Sequence, residues 1–111
     1  MPIEHHSSGV HIIRLADDPA FNADLADAMR LSPVTPVLLD FTSVNFINSK
    51  NLSALLNLRT YLQRNDKSVR LCSISERVWG LFMVTGLNQL FDVSPNAEAA
   101  IPLLQAHRSR A

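Results

Sequence analysis

Residues 37–49 have the sequence VLLDFTSVNFINS and run directly into the leucine-rich segment 50–63. The short apolar run at the start of this stretch is typical of a strand that is buried on both faces. The apolar residues after Ser49 return at helical spacing, which predicts a helix. The stretch therefore predicts a buried strand that leads into a helix, and the turn between them is the first place to look for function.

Asn48 and Ser49 stand at the predicted start of this helix. Short polar side chains accept hydrogen bonds from the free amides of a first turn, so either residue is suited to cap the helix. The same position suits an anion, because the free amides and the positive end of the helix dipole stabilise negative charge. A phosphate attached to Ser49 or held beside it is therefore the functional alternative to a simple cap.

Strands and helices alternate along most of the chain. The predicted elements are a weak strand in 2–7, a strand at 10–15, a helix at 20–31, a chain break at 32–36, the central strand, the helix after Ser49, a turn at 65–67, a strand at 68–74, a helix from Glu76 that Ser75 caps and that ends at Gly86, a short strand at 91–93 and a terminal helix capped by Asn96. Asp18 is expected to cap the first helix, and Pro19 to be its first residue. The alternation predicts one α/β domain over 1–111, with a mixed, mostly parallel central sheet and about four helices.

Composition and charge exclude several classes of protein. A chain of 111 residues has room for one domain with one core. Ten basic residues balance ten acidic ones, so no net field draws the protein to nucleic acid or to an anionic membrane. The single cysteine, Cys72, excludes a disulfide framework and is expected to be a small buried side chain. No apolar run approaches the roughly 18 residues that span a bilayer, so we expect a cytoplasmic protein without direct membrane insertion.

The helix after Ser49 has two distinct faces. One arc holds the apolar positions Leu52, Leu55, Leu56, Leu58 and Leu62. The other side holds Ser53, Asn57, Thr60 and Arg64, with Ser49 at its edge. A phosphate on Ser49 would therefore change the charge of a surface strip one helix long. Arg59 falls in the apolar arc, where its stem can lie on apolar neighbours with its head in water, or where it can pair with a buried carboxylate.

Trp79 and Met83 are four residues apart on the helix that starts at Glu76. They lie on a different side from the expected core positions Val78, Leu81 and Phe82. Two large apolar side chains so placed form either a contact patch, self-association included, or side chains covered by a neighbouring loop. The sequence leaves both possibilities open.

The sequence does not support a metal site or an enzyme. His5, His6 and His11 have no Cys or carboxylate at ligand spacing, so they are expected to be surface residues of strands. A nucleophilic serine needs a histidine base, and His107 is the only histidine after Ser49. There is also no Gly-x-Ser-x-Gly elbow and no glycine-rich phosphate loop. We therefore predict no catalytic residue, metal or cofactor.

The order of several short motifs resembles the STAS domain of bacterial anti-sigma factor antagonists. These motifs are Leu38-Leu39-Asp40-Phe41, Val44-Asn45-Phe46-Ile47-Asn48-Ser49, Leu52 with Ala54-Leu55-Leu56, and Thr85-Gly86-Leu87 with Leu90-Phe91. The resemblance spans about residues 10–106. It implies a four-helix domain with a mixed sheet that binds an anti-sigma factor with serine kinase activity. In that family the kinase phosphorylates the serine of an Asp-Ser-x-Gly tetrad and is thereby released. Here that serine would be Ser49.

Two positions depart from the family tetrad. Asn48 stands where the family has Asp, and Asn51 stands where it has Gly, while Lys50 fills the variable place. Asn caps a helix as well as Asp does, so the fold is expected to be unaffected, but a kinase must accept a different surface. The contact surface implied by the resemblance comprises Asn48, Lys50, Asn51, Ser53 and Asn57, with Trp79 and Met83 as further candidates. The alternative is a non-phosphorylated STAS scaffold or an accessory domain of a lipid or anion transporter.

Overall fold

The structure, a computed structural model, describes residues 3–5, 9–30, 35–65 and 68–109, with side chains for all of these except 3–5 and 106–109. Several predicted features fall wholly or partly outside the described residues: His6, Leu31 at the end of the predicted first helix, residues 32–34 of the predicted chain break, residues 66–67 of the predicted turn, and the last two residues. Within the described ranges, no helix combines the length and the apolar character needed to cross a membrane.

Five strands and four α-helices alternate along the part of the chain that the structure describes. They are β1 (Ile3–His5), β2 (His11–Ala16), α1 (Ala20–Arg30), β3 (Val37–Ser43), α2 (Ser49–Asn65), β4 (Val69–Cys72), α3 (Glu76–Thr85), β5 (Val93–Ser94) and α4 (Ala97–Ser109). The strands follow one another in the sheet in chain order. β1 pairs with β2 as an antiparallel hairpin, and β2 to β5 are parallel. The predicted mixed, mostly parallel sheet with four helices is confirmed.

The first part of the central strand β3 is buried on both faces of the sheet, with Val37, Leu38 and Leu39 at 0% exposure. Leu39 and Phe41 belong to a large apolar cluster that also contains the core residues of α1, α2 and α3. Leu38 points to the other face, where it shares a smaller cluster with Ala100 and Leu104 of α4. Side chains alternate between faces along a strand, so a stretch of strand that is covered on both sides must be apolar at successive positions. This explains the uninterrupted apolar run with which β3 begins.

The predicted helix ends of α3 and α4 are confirmed. The Ser75 side chain caps α3 by accepting a hydrogen bond from the Val78 amide at 3.3 Å. Gly86 ends the same helix with a left-handed φ of 80°, a conformation that glycine adopts without steric cost. The Asn96 side chain accepts a bond from the Ala99 amide at 2.9 Å at the start of α4.

Three local predictions need correction. Pro19 lies in the turn before α1 and is not its first residue, and the Asp18 carboxylate accepts bonds from the start of α2. Leu56 is 48% exposed, because α2 buries a narrower strip than the apolar arc suggested, centred on Leu55 and Leu58. Of the two possibilities that the sequence left open for Arg59, pairing with a buried carboxylate is not found among the described residues, since its guanidinium donates from Nε to the Leu90 carbonyl oxygen at 3.1 Å.

Asp24 on α1 should make stability depend on pH. Asp24 is buried at 8% exposure, as is Asp27 one turn later. Burial, and then the negative charge of Asp27, raise the pKa of Asp24 above its ordinary value of 3.8. A raised carboxyl pKa means that stability is fully present below the ordinary pKa and declines as pH rises through the folded-state value.

Replacing Asp24 with Asn should therefore stabilise the protein at pH 7, by an amount on the order of 1 kcal/mol or less. The advantage should disappear below the ordinary carboxyl pKa of 3.8, where the wild-type side chain is also neutral. Urea denaturation of both proteins at pH 7 and pH 3.5 measures this. A difference that is the same at both pH values would show that the charge of Asp24 is not the cause.

Candidate functional site

The segments that follow the parallel strands meet at one edge of the sheet, which we call the carboxyl edge. Since β2 and β3 are parallel neighbours, the turn after β2 lies beside the loop after β3. The first of these segments contains Asp17 and Asp18, and the second is residues 44–48, which lead into α2. In open α/β sheets this edge is where binding sites form, so the predicted site at the start of α2 lies where the fold favours one.

Asn48 is the cap of α2. Its Oδ1 accepts a hydrogen bond from the Asn51 amide at 2.9 Å, and the Asn51 Oδ1 accepts one from the Asn48 amide at 3.0 Å. This reciprocal pair is a capping box with Asn in both positions. A cap of this kind stabilises a helix by about 1 kcal/mol. Of the two capping candidates in the sequence, Asn48 therefore has this role, and Ser49 is the first residue of the helix.

The side-chain amides of this capping pair are tied to the turn after β2. Asn48 Nδ2 donates to Asp18 Oδ2 at 2.5 Å, and Asn51 Nδ2 donates to Asp18 Oδ1 at 3.0 Å. Asn51 Nδ2 also donates to Asn22 Oδ1 at 3.0 Å. We call Asp18, Asn22, Asn48 and Asn51 the asparagine network. Both positions that depart from the family tetrad belong to it, and an Asp at position 48 would lack the donor that reaches Asp18.

Asp17 holds the preceding part of the same loop. Its Oδ1 accepts from the backbone amides of Asn45 at 2.8 Å and Phe46 at 3.2 Å, and its Oδ2 accepts from Asn45 Nδ2 at 3.2 Å. The Asn45 amide is the main cause of a pKa for Asp17 below its ordinary value of 3.8. The hydrogen bonds that Asp17 accepts are therefore fully formed at pH values above the ordinary carboxyl pKa. They are lost as pH falls through the lowered pKa of Asp17. At neutral pH the loop before Ser49 is held by two carboxylates.

Ser49 itself is exposed to solvent. Of the residues that the structure describes, none forms a hydrogen bond with its hydroxyl group. Lys50, Ser53 and Asn57 are exposed as well, so they form with Ser49 a polar surface at the first turns of α2, which we call the Ser49 surface. Asn51, which the sequence placed on this surface, lies beneath it at 1% exposure.

Trp79 and Met83 differ in their exposure to solvent. Trp79 is half-buried and stacks on Phe82, with ring centroids 6.1 Å apart. It lines a cavity of about 300 Å³ together with Ile74, Val93, Ser94 and Pro95. Met83 is 55% exposed. The side chain of Trp79 is thus partly covered by its neighbours, and Met83 is the member of the pair that offers apolar surface.

Sequence reasoning missed several residues of this edge. It did not connect Asp17, Asp18 or Asn22 with the loop before α2, although consecutive acids directly after a strand were a signal that they face the neighbouring loop. It also made no statement about the burial of Phe46, which is 58% exposed beside the start of α2. An apolar residue between two asparagine-bearing positions of a loop is weak evidence for burial, since loop side chains do not follow a strand's alternation.

Comparisons with known proteins agree with this architecture. A family model described as STAS domain matches residues 10–100. The anti-sigma-B factor antagonist of Staphylococcus epidermidis is 30% identical to this chain over 70 residues, which are 63% of this chain and 65% of the relative's length.

Solved structures of other proteins share the fold. An anti-sigma-factor antagonist (STAS) domain protein from Planctomyces limnophilus superposes with a TM-score of 0.77 at 18% identity, covering 92% of this chain and 95% of that one. The Bacillus cell fate determinant SpoIIAA in its phosphorylated form superposes with a TM-score of 0.61 at 18% identity, covering 91% of this chain and 96% of that one. At these identities the likeness concerns the fold.

Proposed function

The chain belongs to the STAS domain family, and from this we propose that it is a regulatory protein that resembles anti-sigma factor antagonists in its action. It binds an anti-sigma factor with serine kinase activity through the Ser49 surface, and phosphorylation of Ser49 releases that partner. The relative named as an anti-sigma-B factor antagonist supports the partner class. The structural neighbour that was solved in a phosphorylated form supports phosphorylation of a protein with this fold.

The observation that carries this proposal is that the Ser49 hydroxyl group is exposed and is not used to cap α2. Asn48 and Asn51 satisfy the amides at the start of α2, so the helix does not need Ser49 as a cap. Ser49 is exposed, and its hydroxyl has no hydrogen bond within the described part of the chain. A residue in this position is accessible to a kinase, and its modification leaves the capping box in place.

A phosphate on Ser49 would act on the surface and not on the fold. It adds roughly −1.5 to −2 charges and three strong acceptors. At the first position of α2 the helix dipole favours negative charge, so the helix itself is not weakened. A partner that packs against Lys50, Ser53 and Asn57 would instead meet a new charge at the edge of its contact. Repulsion and desolvation at such a contact cost several kcal/mol, which is enough to reverse binding.

The test of phosphorylation is the intact mass of the protein purified from its native cell, with fragmentation to locate any phosphate. We expect a fraction heavier by one phosphate, mapped to Ser49, and absent from Ser49→Ala. A matched Ser53→Ala variant should keep the modification, because Ser53 is equally exposed one turn further along α2.

An unmodified Ser49 in growing and stressed cells would contradict the switch. The alternative would then be a constitutive STAS scaffold or an accessory domain of a transporter, and recovery of a transporter ATPase with the protein, in place of a kinase, would identify the latter. Formation of a homodimer through Met83 would be a separate result, visible as a doubled mass in solution.

A further inference from the structure

We propose that Asp18 is a positioning residue for Ser49. Its negatively charged carboxylate orients the side-chain amides of Asn48 and Asn51 at the start of α2. The inference rests on the hydrogen bonds of the asparagine network. The consequence of this role for phosphorylation of Ser49 depends in addition on the proposed function. Asp18 lies in the turn after β2, 30 residues before Asn48, so no local sequence pattern connects the two.

The donors and acceptors of the asparagine network require an acceptor of two hydrogen bonds at Asp18. The oxygen atoms of Asn48 and Asn51 are both used by backbone amides of the capping box. Their Nδ2 groups must therefore find acceptors elsewhere, and both point at the Asp18 carboxylate. A carboxylate is an acceptor only, with room for both donors, and bonds to an ionised group are stronger than neutral ones. An amide at position 18 would instead bring a donor against a donor.

This arrangement connects Asp18 to the backbone that presents Ser49. Asn48 precedes Ser49 directly, and Asn51 is the buried residue of the first helical turn, at 1% exposure. The carboxylate of Asp18 fixes both side chains. Through the capping box, these side chains in turn hold the backbone amides of Asn48 and Asn51, which lie before and after Ser49. The other ionisable groups on the two segments are Asp17, which binds the loop backbone, and Lys50, whose side chain is exposed.

Moving the charge across the Asp18–Asn48 hydrogen bond tests the proposal. The variants are Asp18→Asn, Asn48→Asp and the double variant that combines them. The first variant removes the charge, and the second sets two carboxylates against each other. In the double variant the donor and the acceptor of this bond are exchanged, and the introduced amide oxygen can still accept from Asn51.

We expect each single substitution to raise the unfolding equilibrium constant roughly tenfold, and the double variant to return to within about threefold of wild type. Asp17→Asn combined with Asn48→Asp is the matched control and should give no rescue, because Asp17 bonds to the loop backbone and not to Asn48. A double variant as unstable as the sum of its parts would overturn the charge pairing.

Amide hydrogen exchange gives the readout at Ser49's neighbours. In Asp18→Asn the amides of Asn48 and Asn51 should exchange faster relative to a core amide such as that of Leu39, and the double variant should restore their protection. Unchanged relative exchange at these two amides would overturn the positioning role. The result is independent of whether Ser49 is phosphorylated in cells, so failure here is distinguishable from failure of the proposed switch.

Discussion

Replacement of Phe41 by Ala is expected to lower the free energy of unfolding by about 3–5 kcal/mol. Phe41 is completely buried in β3. Its ring meets that of Phe21 from α1 edge-on, with centroids 6.1 Å apart, and that of Phe82 from α3 at 5.9 Å. Alanine would lose both aromatic contacts and leave a cavity between two helices and the sheet.

Phe46→Ala is the matched control for this prediction. It removes the same atoms only five residues further along the chain, but Phe46 is 58% exposed. We expect a change in stability of less than about 0.5 kcal/mol, as for most surface substitutions. Denaturant titration of the two variants and wild type gives both values. A loss for Phe46→Ala comparable to that for Phe41→Ala would show that the loop before α2 is packed differently.

The second large effect is expected on binding. Ser49→Asp should weaken the interaction with the anti-sigma factor partner about 10- to 100-fold, because a charge is introduced at the edge of the contact. The variant should keep its stability, since a carboxylate in the first turn of α2 interacts favourably with the helix dipole. Calorimetric titration with the kinase recovered alongside the wild-type protein measures the affinity.

Two further variants control for charge and for loss of the hydroxyl group. Ser49→Ala should bind like wild type, because the hydroxyl group has no partner within the described residues. Ser53→Asp places the same charge one helical turn away and should weaken binding by a smaller factor. If Ser49→Asp bound as tightly as wild type, the Ser49 surface would not be the contact.

The central strand and the helix after it could be predicted because their signals are local. The apolar run of β3 reflects burial on both faces, and the spacing of Leu55 and Leu58 reflects helical period. Gly86 and Ser75 were predictable for the same reason, since their roles depend on the backbone within a few residues. The family resemblance added the position of Ser49 in this framework.

The features that the sequence did not reveal depend on contacts between distant segments. Asp18 was expected to serve its own helix, and its actual partners, Asn48 and Asn51, become visible only when β2 and β3 lie side by side. Leu56 was placed in the core because helical spacing gives direction around the helix but not the width of the strip that neighbours cover. Burial of Asn51 likewise requires the partners that the turn after β2 supplies.

The proposed switch is tested most directly by the affinity of one partner for two forms of the native protein. Protein phosphorylated on Ser49 and the same sample after phosphatase treatment would be titrated into the anti-sigma factor kinase. We expect tight binding of the dephosphorylated form and a loss of at least about 100-fold for the phosphorylated form, which corresponds to several kcal/mol. Equal dissociation constants for the two forms would contradict a switch at Ser49.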